Sequence, residues 1–183
     1  MGKSESLTEE ELTRALAYVG LVLIAFELIK SMIVGPIKLF YKDTTFGEGM
    51  PFKSYEVDVL SRHKDQFEAC LLYLRDFMVA IDSDDMNAIQ DLRRHRNELA
   101  HDLVNKLHDL QIEGHAALFK RVDTAFFKLS NYRAYIEIGS DPDFQTLGID
   151  WDLLKGHEYL IFENVFGKLK MFNSIGDQTL GIG

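Results

Sequence analysis

Residues 84–110 read DDMNAIQDLRRHRNELAHDLVNKLHDL. Ile89, Leu92, Leu99, Leu103, Leu107 and Leu110 recur at three-, four- and seven-residue spacing, which is the period of one apolar face on an α-helix. DSDD at 82–85 supplies caps and negative charge for its start. The stretch therefore predicts one helix over 84–110. The gap in the stripe between Leu92 and Leu99 is filled by Arg96. An arginine on an apolar face has to be paired, or has to open onto a cleft. Arg94, Asn97, His101 and His108 line one edge of the stripe. Arg93 and His95 read as a solvated face.

The flanking chain has the same helical period. Thr8 and Glu11 form a capping box for a first helix from Thr8 to about Val34, where Gly35-Pro36 is expected to stop it. DTTFGEGMPF, 43–52, reads as a loop. From Ser54 to about Ile81 a second helix is expected, with Val57, Leu60, Phe67, Cys70, Leu71 and Leu74 on one side. A fourth runs from His115 to Ile138, after the turn IEGH. A last one covers 151–172, after GSDPDF. The expected architecture is all-α, a bundle of four to five helices in a single domain over 1–172, with a flexible tail at 173–183.

Composition narrows the function classes. The chain has 183 residues, a net charge of -9, and three prolines. An acidic chain of this kind is not a general nucleic-acid coat, although a local basic cleft remains compatible with it. The one cysteine, Cys70, excludes an intrachain disulfide and a cysteine-based zinc cluster. It sits in the apolar run EACLLYL and reads as a buried, inert thiol, which suits a reducing cytoplasm. ALAYVGLVLIAF, 15–26, is too short to span a bilayer, which takes about 20 apolar residues. It reads as a core helix, with no membrane partner. No glycine-rich phosphate loop and no Ser or Cys nucleophile arrangement is present. FKRVDTAFFKL, with Phe126 and Phe127, reads mainly as core.

The row beside the stripe carries the chemistry. Arginine forks onto phosphate oxygens, and histidine moves protons near neutrality. Arg96 and His101 are five residues apart, about 140° round the helix, so a site using both is easier to build where two copies meet across a two-fold axis. Two histidines across that axis can act as base and acid. That set cleaves RNA without metal or cofactor, by attack of the ribose 2′-OH on the adjacent phosphate.

RNELAH, 96–101, resembles the R-x(4–6)-H signature of the HEPN superfamily, whose residue after the arginine is usually polar, as Asn97 is. The resemblance covers roughly half the chain, the helices around the motif. It implies an HEPN-like helical fold and a metal-independent endoribonuclease with a composite site in a homodimer. Arg96 and His101 would be catalytic and Asn97 would orient them. Arg94 and Arg93 are candidates for RNA contact. Many such proteins are toxins or anti-phage effectors, controlled by an antitoxin or a regulatory protein. Members silenced by nucleotidyl transfer carry a tyrosine two residues after the histidine. Here that position is Leu103, which argues against such silencing.

Other readings of the same residues follow. Arg96 can form a buried ion pair with an acidic residue of another helix. A catalytically silent HEPN-like domain can act as an adaptor or dimerisation module for a protein or nucleotide. Glu98-x-x-His101 has the spacing of a di-iron ligand pair, but no second E-x-x-H accompanies it, and no metal site is expected.

Overall fold

The structure is a computed structural model that describes residues 7–43, 54–106, 110, 113–139, 141–145 and 147–174. Its described residues are all-helical. The elements are α1 (Glu9–Asp43), α2 (Tyr55–Asp58), α3 (Gln66–Asp76), α4 (Ser83–Lys106), α5 (Ala116–Ile138), α6 (Pro142–Gln145) and α7 (His157–Ser174), with 3-10 turns at Leu60–Arg62, Glu113–His115 and Trp151–Leu153. α1 packs on α7, α3 and α4, while α5 packs on α4 and α7. By length and composition alone α1 could cross a membrane. In the fold Tyr18, Val22, Ile29 and Ile33 point from it into the core. From the other side Phe126 meets Phe162 edge-on at 4.5 Å, and Phe162 stacks on Phe166.

The capping residues read from sequence take up those roles. The Thr8 N–H donates to Glu11 Oε2 at 2.8 Å, and the Glu11 N–H donates to Thr8 Oγ1 at 3.2 Å. Asp82 and Asp85 cap α4 in the same reciprocal way, at 2.9 and 3.1 Å. Lys128 of α5 donates to both carboxylates. Cys70 is fully buried, and burial pushes its thiol above the usual range.

Three boundaries differ from the sequence reading. α1 does not stop at Val34 but runs to Asp43 with Pro36 inside it. Proline removes one backbone donor and costs about 3 kcal/mol in a helix interior. Ile37, the residue after it, is buried, which returns about 1.5–3 kcal/mol. Burial therefore offsets much of the break. The expected helix 54–81 is divided. His63 is extended, and Asp65 caps a new helix by accepting from the Glu68 N–H at 3.0 Å. Val57, expected on the apolar stripe, is exposed. The last helix begins at His157, because the Gly156 N–H donates to Ser130 Oγ at 3.0 Å and anchors the preceding segment to α5. A Cβ at Gly156 would lie 2.7 Å from that oxygen, so only glycine fits the approach.

α3 ends in a wide turn. The Ala80 N–H donates to the Leu74 carbonyl at 2.9 Å and the Met78 N–H to the Tyr73 carbonyl at 3.1 Å. Within it Val79 holds a left-handed conformation that glycine adopts more readily, at φ 53°. A β-branched side chain there stores about 1–2 kcal/mol of strain. The expected loop at 43–52 lies outside the described residues apart from Asp43, the last residue of α1. Residues 175–183 of the expected tail also lie outside them, and α7 reaches Ser174.

Candidate functional site

α4 delivers the motif. Ile89, Leu92 and Leu99 are fully buried, as the stripe requires. Leu103 is half-buried, and Leu107 and His108 lie outside the described residues. The position that completes the stripe between Leu92 and Leu99 is His95. It lies three residues after Leu92 and four before Leu99, and it is buried. This corrects the reading of His95 as a solvated residue. Arg96 sits at the margin of the stripe, half-buried.

Arg96 is held on three sides. Its guanidinium lies over the Phe26 ring at 5.5 Å. Nη2 donates to Glu27 Oε1 at 3.2 Å, and Nη1 donates to Asn97 Oδ1 at 3.1 Å. Nε is buried without a hydrogen-bond partner. The Arg96 side chain is 29% exposed and that of Glu27 51%. An ion pair this open to water contributes on the order of 0–1 kcal/mol. An incoming phosphate can therefore exchange with Glu27 at small cost. Asn97, expected to orient both Arg96 and His101, bonds to the arginine.

His101 is exposed on the last regular turn of α4. The next residue, Asp102, has non-helical angles of φ -126° and ψ 22°, and the helix kinks there. The kink interrupts the single helix expected over 84–110, of which residues 107–109 lie outside the described residues. Among the described residues no group of three His, Cys, Asp or Glu side chains gathers as a metal would require.

The remaining cations of the run have acidic partners. Arg93 forks onto Asp65, with Nη1 at 3.2 Å and Nη2 at 2.9 Å, and it lies over the Phe67 ring. Its hydrogen bonds hold the Asp65 carboxyl below the usual range. Arg93 is therefore a clamp between α4 and the start of α3, not a solvated side chain. Arg94 is exposed and bonded to Asp91, which also accepts from Arg121 of α5 at 2.8 Å. Glu27, Asp65 and Asp91 thus each meet one arginine of the run. The crowding of positive charge that stands out in the sequence is largely balanced in the fold.

A cluster that the sequence reading missed surrounds His95. Its Nε2 lies 2.9 Å from the Tyr18 hydroxyl, in a buried hydrogen bond. The ring stacks on His115 with centroids 3.9 Å apart, and Phe119 closes the side. Burial pushes the Tyr18 phenol well above its usual range. The available signal was the 3-4 spacing of Leu92, His95 and Leu99.

α1 contributes one more feature. Leu12, Leu16 and Ile24 are exposed, and helical geometry places them within about 120° of Glu27 on the outer face. Comparison with family models, with curated proteins and with solved structures finds no match to the chain.

Proposed function

We propose that the chain is a metal-independent endoribonuclease of HEPN type, a helical bundle acting as a homodimer. The observation that carries this reading is the contrast along α4. Arg96 is positioned by Phe26, Glu27 and Asn97, while His101 stands exposed at the kinked end of the same helix. In the proposed reaction His101 takes the proton of a ribose 2′-OH, and the 2′ oxygen attacks the adjacent phosphorus. His101 of the partner subunit protonates the departing 5′ oxygen. The products are a 2′,3′-cyclic phosphate and a 5′-OH end. Arg96 exchanges Glu27 for the phosphate and stabilises the charge that builds on it. Arg94 is the stronger RNA contact, because the fork of Arg93 is already taken by Asp65. The exposed Leu12, Leu16 and Ile24, on the same outer face of α1 as Glu27 and up to about 22 Å along it, supply a face for the second copy.

The proposed setting is the cytoplasm, as a toxin or anti-phage effector restrained by an antitoxin or regulatory protein. Expression in a bacterial host tests this. The wild type should arrest growth, and His101→Ala and Arg96→Ala should each relieve the arrest at equal protein level. Equal toxicity of wild type and variants would sink the nuclease reading. The second reading is a silent adaptor that binds a protein or nucleotide. The observation favouring it is that Glu27, Asp65 and Asp91 balance the arginines internally. A soluble, folded wild type without toxicity or nuclease activity would support it.

A further inference from the structure

Some distance from Arg96 the structure encloses a cavity of about 500 Å³, open on one side. It lies between the last three turns of α1, the end of α3 and the second half of α5. Among the described residues none of α4 lines it, and its α1 wall runs from Met32 to Tyr41, about 8 to 21 Å along the helix from Glu27. The size falls within the range of small-molecule sites, about 300–1,000 Å³. Ile33, Ile37, Leu74, Met78, Leu129 and Ile136 supply aliphatic walls. Phe40, Phe77 and Tyr132 add aromatic ones. Pro36, which α1 tolerates at a cost, lies in this wall.

The polar groups of the cavity are few. The Tyr41 hydroxyl lies 3.2 Å from Asp58 Oδ2 and 3.2 Å from the Tyr73 oxygen, and it is the donor in both contacts. A phenol has one proton, and the carboxylate is the stronger acceptor. Asp58 and Tyr73 are both acceptors here, with lone pairs left for a ligand. On the opposite wall Arg133 is committed. Its Nε donates to Glu137 at 2.6 Å and its Nη1 to Glu158 at 2.9 Å. Among the described residues that line the cavity Arg133 is the only cation, so an anion would meet Asp58 and Glu137. Arg62, outside the lining, donates from Nε to the Asp58 carbonyl at 2.7 Å and lies over the Tyr73 ring. A donor meets acceptors, negative charge and aromatic surface.

We infer that this cavity binds a hydrophobic amine in its protonated form, with the ammonium at the Tyr73–Tyr41–Asp58 end and the apolar body along Ile33, Ile37 and Leu129. The inference is independent of the nuclease reading. Calorimetric titration of the full chain with octylammonium chloride, 1-octanol and sodium octanoate tests it. Octylammonium should bind about tenfold or more tighter than either of the others, the size expected of a charge-assisted hydrogen bond. Asp58→Asn should bring it down to the level of octanol and leave octanol binding unchanged. Ile136→Trp, at an exposed position on the rim, should weaken all binding by filling the mouth. Octanoate or octanol binding as tightly as octylammonium overturns the inference. So does absence of octylammonium binding by a chain shown to be folded by circular dichroism. Undiminished binding in Ile136→Trp would place the ligand elsewhere and also overturn it.

Discussion

α4 carries two histidines six residues apart, and the fold treats them in opposite ways. His95 is buried, held by the Tyr18 hydroxyl and stacked on His115. His101 is exposed, and the helix kinks directly after it. One imidazole is part of the joint between α1, α4 and α5. The other is free to meet a substrate. The comparison shows that residue type alone does not locate chemistry on this helix. Exposure decides which imidazole could serve as a proton carrier, because such a group has to reach both a substrate and water.

The largest stability effect should come from the buried side. Leu92 is fully buried one turn before His95, and Leu92→Ala should cost about 2–5 kcal/mol in urea unfolding. Next is the phenol. Tyr18→Phe removes the hydrogen bond to His95 without opening a cavity, and should cost about 1–2 kcal/mol. Val79→Gly separates global stability from the His101 end. It relieves the left-handed strain at the end of α3 and should raise stability by about 1 kcal/mol. RNA cleavage at a temperature where both proteins are folded should not change.

The smallest effect lies at the start of α4. Hydrogen bonding to Lys128, then to the Asp85 N–H, lowers the Asp82 carboxyl to about 2 from 3.8. A carboxyl depressed in the fold contributes stability that is present above its unfolded value. That contribution is lost as pH falls from about 4 towards 2. The Asp82 side chain is 58% exposed, so screening keeps it below about 1 kcal/mol. Comparing Asp82→Asn with the wild type by urea midpoint should show a gap at neutral pH that narrows through that window. A gap independent of pH would place the effect in packing.

Much of the fold was legible in the sequence, because its signals are local. The Thr8–Glu11 box, the Asp82–Asp85 cap and the stripe of Ile89, Leu92 and Leu99 depend on residues within two turns of each other. The misread boundaries depend on tertiary terms. Helix continues through Pro36 with Ile37 buried beyond it, a gain that no local rule weighs. The break before α3 had a local sign in Asp65-x-x-Glu68, the same cap type as at Thr8, which the continuous apolar spacing concealed. At the candidate site, Arg96 was expected to fill the apolar stripe, and His95 fills it instead. The Arg96 partner, Glu27, is 69 residues away and has no sequence signature. The same holds for Tyr18 and His95, 77 residues apart. The register slip between His95 and Arg96 is one residue, since both lie within reach of the stripe on a helical wheel.

The most direct measurement is cleavage of a mixed RNA pool in EDTA by the purified wild type and by His101→Ala, with the unfolding midpoint of each protein recorded beside it. The account predicts cleavage by the wild type that leaves 5′-OH ends, and a loss of about 10²–10⁴-fold in the variant, with stability within about 0.5 kcal/mol of wild type because His101 is on the surface. Equal cleavage by both proteins, or none by a folded wild type, would contradict it.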